Sequence, residues 1–140
     1  MSVYVVDVSV AVKWFVPEIR EVQAASLLDD QNRLLAPDLI YSEFANIIWK
    51  KTYLRSELSA SQGTHIINNF PNAPLQIFSS ADLFSYAFDL ACETGRTAYD
   101  CMYLALALAH DEALITDDER FYNSLRNTSY ASSVVWLGNL

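Results

Sequence analysis

Val3-Tyr4-Val5-Val6-Asp7-Val8-Ser9-Val10-Ala11 reads as a buried strand that stops on a carboxylate and turns into a helix. Residues 3–6 are short, apolar and β-branched, the pattern of a strand covered on both faces. A carboxylate set against such sequence costs free energy unless it is paired or bound to a cation. The same juxtaposition recurs along the chain. Glu43 lies in the helix-like run Leu39-Ile40-Tyr41-Ser42-Glu43-Phe44-Ala45-Asn46-Ile47-Ile48-Trp49. Asp100 opens the almost wholly apolar segment Cys101-Met102-Tyr103-Leu104-Ala105-Leu106-Ala107-Leu108-Ala109. Asp117-Asp118 follow Ala113-Leu114-Ile115-Thr116. No basic residue stands within these runs, so a divalent metal is the simplest way to satisfy the acids.

Outward from that first strand, strands and helices alternate. Residues 9–15 predict a short helix ended by Pro17. Residues 19–28 predict an amphipathic helix with Val22, Ala25 and Leu28 on one face. Residues 34–36 form a second strand closed by Pro37, and Asp38 is placed to cap the helix carrying Glu43. Ser59 caps a helix ending near Phe70. After the turn Pro71-Asn72-Ala73-Pro74, residues 75–78 form a third strand. Residues 81–93 form a helix stopped at Gly95. Thr97 caps a helix over 98–110. Residues 113–116 form the fourth strand, 118–124 a short helix and 134–136 a fifth strand. No repeat, low-complexity stretch or linker interrupts residues 1–140, so one domain is expected. Strands alternating with helices imply an α/β fold with a parallel sheet covered on both faces. Ligands bind such sheets at the carboxyl ends of the strands. Asp7 and Asp117-Asp118 lie just past strand ends, and Glu43 and Asp100 lie in early helical turns, so all can converge.

The bulk composition narrows the function. Of 140 residues, 52% are hydrophobic and 19% charged, which suits one folded domain rather than disorder. The formal charge of −8 argues against a nucleic-acid binder that relies on phosphate neutralisation. A nucleic-acid role would rest on bound metal and a local basic rim, for which Lys13, Arg96 and Arg120 are placed. Lys50, Lys51 and Arg55 end the Glu43 helix, where cations favour the dipole. Cys92 and Cys101 fall in apolar helical patterns and read as buried free thiols. No Cys/His cluster suggests zinc. His65 and His110 are isolated and read as structural or surface residues. The start of the chain lacks a basic signal-peptide region. The apolar run 101–109 is far short of the roughly 20 residues that span a bilayer. A soluble cytoplasmic chain with no membrane role is the expectation.

Several carboxylates with open positions are the usual ligands of Mg²⁺ or Mn²⁺. Two of them about 4 Å apart repel by roughly 4 kcal/mol at an effective dielectric near 20. Such a metal can activate a water and stabilise phosphoryl charge, which points to phosphodiester hydrolysis. Ser9 stands two residues after Asp7, where its hydroxyl can meet a ligand or a phosphate. Asn46 is one helical turn after Glu43. Thr116 precedes Asp117 and can hold a supporting contact. Each acid also has a purely structural alternative. Asp7 can be a strand-end turn residue, Asp117-Asp118 a turn with a helix cap, and Asp100 a first-turn acid facing the helix dipole.

Four segments, in order, resemble the PIN-domain family, in particular its VapC toxin type. They are Val5-Val6-Asp7-Val8-Ser9-Val10-Ala11-Val12-Lys13-Trp14-Phe15-Val16-Pro17-Glu18, then Pro37-Asp38-Leu39-Ile40-Tyr41-Ser42-Glu43-Phe44-Ala45-Asn46. Thr97-Ala98-Tyr99-Asp100-Cys101-Met102-Tyr103-Leu104-Ala105-Leu106-Ala107 and Leu114-Ile115-Thr116-Asp117-Asp118-Glu119-Arg120-Phe121 follow. The resemblance implies a three-layer α/β/α sandwich with a five-stranded parallel sheet. It implies a Mg²⁺- or Mn²⁺-dependent ribonuclease, commonly a homodimer, restrained by a cognate antitoxin. The ligand carboxylates it implies are Asp7, Glu43, Asp100 and Asp118, with Asp117 a possible fifth acid and Ser9 and Asn46 recurrent polar neighbours. One departure is the turn His110-Asp111-Glu112, where the family often has Gly. A haloacid-dehalogenase-type phosphatase would need an acid where Ser9 stands. A receiver domain would need an acid after Phe78 and a late Lys, but Ser79-Ser80 follow Phe78 and no Lys follows Lys51. A non-catalytic PIN module and a housekeeping nuclease are the remaining alternatives. Trp14, Phe15, Trp49 and Tyr53, on and beside the helices over 19–28, 39–55 and 59–70, are the aromatic candidates for a partner surface.

Overall fold

Val5 and Val6 are both fully buried, yet they belong to different hydrophobic clusters. The same split separates Leu35 from Leu34 and Leu114 from Ile115. Successive strand residues point to opposite faces, so each strand feeds two layers at once. The computed structural model describes residues Met1–Leu140. Its strands are β1 (Ser2–Val6), β2 (Asn32–Pro37), β3 (Leu75–Phe78), β4 (Ala113–Thr116) and β5 (Val134–Trp136). They form one sheet in the order β3-β2-β1-β4-β5, and every pair is parallel. The five strands lie where the sequence places them, with β2 longer at both ends.

The helices are α1 (Val8–Ala11), α2 (Glu21–Ser26), α3 (Leu39–Trp49), α4 (Ala60–Asn69), α5 (Phe84–Thr94), α6 (Ala98–Ala109) and α7 (Glu119–Leu125). The two layers are unequal. The larger cluster gathers residues of α1, α3, α5, α6 and α7 on one side of the sheet. The smaller is closed mainly by Ala24 and Leu27 around α2 and by Leu137. No helix is long and apolar enough to cross a membrane.

Several local expectations change. The helix over 19–28 shortens because Arg20 adopts a left-handed conformation at φ 65°. Its buried face is Ala24 and Leu27, whereas Val22 is 77% exposed. Trp14 Nε1 donates to the Ala24 carbonyl at 2.8 Å and holds that face inward. Asp38 makes no side-chain cap; its carboxylate instead accepts from the backbone and hydroxyl of Ser80. That contact ties the start of α3 to the chain leaving β3. Ser59 does cap α4, in a reciprocal capping box with Gln62. Gly95 takes φ 74° after α5, and Thr97 caps α6. Asp111 supplies the left-handed turn before β4 at φ 53°, a conformation Asp tolerates better than most residues. Cys101 is buried as expected, but Cys92 is exposed.

Candidate active site

Asp7 ends the ladder and starts the helix at once. Its backbone N–H donates to the Ile115 carbonyl at 3.2 Å, extending the β1–β4 pairing. Its carboxylate then caps α1, accepting from the Ser9 backbone at 2.8 Å and from the Ser9 hydroxyl. The second oxygen accepts from Thr116 Oγ1 at 2.6 Å. Asp7 is only 6% exposed. Burial pushes its carboxyl up to about 7, against the lowering effect of Ser9 and Thr116 and with a raising contribution from Asp100. Ser9 and Thr116 therefore hold Asp7, and the same two hydroxyls shape the next turn. Ser9 Oγ accepts from the Asp117 backbone at 2.9 Å, and Thr116 Oγ1 accepts from the Asp118 backbone at 3.1 Å.

The crevice lies between β1 and β4, where the strand order reverses. Asp118 caps α7 there, with Oδ1 accepting from Arg120 and Phe121 at 3.0 and 3.1 Å. Asp100 occupies the first turn of α6, the helix that runs down to feed β4. Arg96 Nη2 stands 2.7 Å from Asp100 Oδ2 and 3.9 Å from Asp118 Oδ2, bringing those two acids to one cation. Glu43, in the second turn of α3, accepts from the Tyr103 hydroxyl at 2.6 Å. Burial raises the Glu43 carboxyl, Tyr103 offsets this in part, and Asp100 adds to it. Burial also raises Asp100, with Arg96 opposing and Asp118 adding to the rise. The Tyr103 phenol is pushed far up by burial, then by Glu43, with Asp7 adding to the rise. These couplings link Asp7, Glu43, Asp100 and Asp118 at one edge of the sheet. Asn46 is exposed and lines a groove of about 300 Å³ with Ser42, Glu43 and Tyr99.

The donor chemistry fits a hard divalent cation: carboxylate oxygens, several of them reluctant to stay charged alone. The set is open rather than closed. No three His, Cys, Asp or Glu side chains stand together at ligand spacing. Asp100 and Asp118 turn toward Arg96, and Glu43 toward Tyr103.

Asp117 is held by two cations of its own. Lys13 Nζ lies 3.0 Å from its Oδ2, and Arg20 forks onto it at 2.5 and 3.2 Å. Lys13 is thus no rim residue. It is buried and also pairs with Glu18 at 3.1 Å. Lys51 is buried too rather than solvated, held by Glu18 at 2.8 Å and Glu57 at 3.4 Å. Of the basic residues placed on the rim, Arg120 alone is exposed and unpaired. His65 is exposed, and His110 sits against the Leu106 carbonyl at the end of α6, away from the acids. Tyr103 is the participant that sequence reading passes over. Its signal was a lone hydroxyl three residues after Asp100 in an apolar helix, which needs a partner when buried.

The family model for the PIN domain matches residues 4–124. Ribonuclease VapC3 of Pyrobaculum aerophilum is 36% identical over 118 residues, spanning 83% of this chain and 89% of that protein. The fold resembles the crystal structure of PAE2754 from the same organism, with TM-score 0.72 at 16% identity, covering 99% of this chain and 85% of that one. It also resembles VapC20 of Mycobacterium tuberculosis, a Sarcin-Ricin loop cleaving toxin, with TM-score 0.64 at 12% identity over 86% and 94% of the two chains. VapBC2 of Rickettsia felis, bound to a promoter DNA fragment, gives 0.60 at 13% identity and 96% of each chain. With the family model spanning most of its length and a curated relative at 36% identity, the chain belongs to the PIN-domain family, on its VapC-type branch.

Proposed function

We propose that this chain is a Mg²⁺- or Mn²⁺-dependent endoribonuclease acting as the toxin of a toxin–antitoxin pair. The observation that carries the reading is the electrostatic imbalance at the β1–β4 crevice. Asp100 there raises the carboxyls of Asp7 and Glu43 and is itself raised by Asp118, and Arg96 is the one cation paired to any of the four. A scaffold gains nothing from that arrangement, because buried like charges cost free energy. Membership of the VapC branch, with a curated ribonuclease as relative, supports RNA as the substrate.

A divalent cation, when bound, supplies activation of a water and neutralises charge on the phosphoryl oxygens. Asp7, Glu43, Asp100 and Asp118 would hold it. Ser9 and Thr116 fix both oxygens of Asp7, so that carboxylate needs little reordering. Tyr103 orients Glu43 from beneath. Asp118 keeps Oδ1 on the α7 cap and leaves Oδ2 toward the crevice. Tyr99 and Asn46 line the groove beside Glu43 and offer an aromatic face and an amide to single-stranded RNA.

The antitoxin surface we assign is the apolar groove of about 460 Å³ between α3 and α4, lined by Ile48, Trp49, Tyr53 and Ile67 among others. Trp49 is 48% exposed and Tyr53 74%, and their rings stack at 5.9 Å. Trp14 and Phe15, by contrast, pack against the core. Exposed Phe84 and Phe88, one turn apart on α5, fit a self-association face. Incubating the purified chain with single-stranded RNA tests the reading. Cleavage should require Mg²⁺ or Mn²⁺, stop in EDTA and leave 5′-phosphate ends. Cyclic-phosphate products, or cleavage that survives EDTA, would overturn it.

A further inference from the structure

Arg96 occupies the point where the acidic edge is most crowded. Its Nη2 contacts Asp100 at 2.7 Å and lies 3.9 Å from Asp118, acids brought there by two different helices. The guanidinium lies 5.3 Å from the centre of the Phe121 ring. Its backbone N–H is held by Thr94 Oγ1 at 3.2 Å in the turn after α5. The side-chain Nε is buried and has no acceptor. An arginine that only anchors one carboxylate tends to fork onto it with two nitrogens, as Arg20 does on Asp117. Arg96 instead spends one nitrogen between two acids and leaves another unused. It bridges the pair rather than saturating either member.

Of the other cations nearby, Arg120 is exposed and pairs with none of the acids, and the rest are committed elsewhere. Lys13 and Arg20 neutralise Asp117, and Lys51 neutralises Glu18 and Glu57. Arg96 alone offsets the acids of the crevice. We propose that Arg96 is the resident counter-ion of the Asp100–Asp118 pair in the cation-free protein, and that a divalent cation enters the pair by displacing it. This rests on the reading of the crevice as a divalent-cation centre. Arg96 then sets cation affinity: it keeps two repelling carboxylates together before the ion arrives, and it competes with the ion for both.

The test is a Mn²⁺ binding isotherm on cation-free protein, read by electron paramagnetic resonance of free Mn²⁺, for the wild type, Arg96→Gln and Arg96→Lys. Arg96→Gln should bind Mn²⁺ about fivefold more tightly, the scale of one partly exposed ion pair removed from competition. Arg96→Lys, which keeps the charge, should stay near wild type. A residue that merely shapes the turn would lower thermal stability without tightening Mn²⁺ binding. If wild type binds and Arg96→Gln is no tighter, this inference falls and the cation reading stands. If wild type shows no saturable binding, the cation reading falls and takes this inference with it. Should Arg96→Gln fail to fold, wild type labelled with ¹⁵N-arginine, with Arg96→Lys for assignment, gives the answer. Saturating Mg²⁺ should shift the Arg96 Nε–H resonance, identified by its loss in Arg96→Lys. An unmoved resonance overturns the proposal.

Discussion

Asp7 keeps a carboxyl where solvent hardly reaches, and its ionisation has a price in stability. Its folded value of about 7 lies above the ordinary 3.8, with burial the main cause. The folded state therefore holds a proton that the unfolded chain has released between those values. The resulting stabilisation is complete below about pH 4 and is lost as pH rises through 7. Over about three units it amounts to the order of 4 kcal/mol. Asp7→Asn in chelator should flatten the fall in unfolding temperature between pH 5 and pH 8, and should exceed wild type at pH 8. An equal fall in both proteins would mean Asp7 is ionised throughout. The neighbouring acids separate differently. Asp117→Asn strips Lys13 and Arg20 of their shared partner, so it should cost roughly 3 kcal/mol of stability while Mn²⁺ affinity is kept. Asp118→Asn keeps a good helix cap and should barely change stability, yet lose cation binding and RNA cleavage. Calorimetry and binding on the two variants check this, and the reverse ranking would place Asp117 in the site.

At the scale of elements, the helices hold the site by their ends. Asp7, Thr97 and Asp118 each cap a helix, and each helix start faces the crevice. The exception is α4, whose capping box lies at Ser59 and Gln62 and serves the outer groove. Gly63 lets α4 approach closely: a Cβ there would meet Thr52 Oγ1 at 2.6 Å. Ser59→Ala should destabilise the protein by about 1 kcal/mol in urea unfolding and leave RNA cleavage intact. An unchanged midpoint would mean that packing alone holds α4. The α2 misreading has a related cause. Ala and Leu recur so closely over 19–28 that two faces are apolar, and the Trp14 bond to Ala24 selects one.

For the whole molecule, the acids and the aromatic groove occupy separate surfaces of one fold. Replacing both Trp49 and Tyr53 by Ala should leave folding and cleavage intact, because both side chains are exposed. On the proposed toxin role, affinity for an antitoxin should fall about 100-fold, as expected when hot-spot aromatics are removed. Coexpression with that antitoxin and measurement of residual RNA cleavage checks it. Full inhibition of the double variant would move the docking surface elsewhere.

The sequence by itself determined the parallel α/β plan, because β-branched runs of strand length alternate with amphipathic or apolar helices. It placed all five strands, and it drew attention to Asp7, Glu43, Asp100 and the Asp117-Asp118 pair by setting carboxylates against apolar neighbours, the resemblance to the PIN-domain family favouring Asp118 of the pair. Only the tertiary structure decided which charges meet. Lys13 and Arg20 are far in sequence from Asp117, and Lys51 is far from Glu18, so the local pattern does not encode their meeting. Their pairing gives Asp117 cations of its own and takes Lys13, one expected cation, from the rim. The same holds for Tyr103 on Glu43 and Arg96 on Asp118. Periodicity fixes which face a residue takes, but a contact across the sheet is fixed only when the layers close.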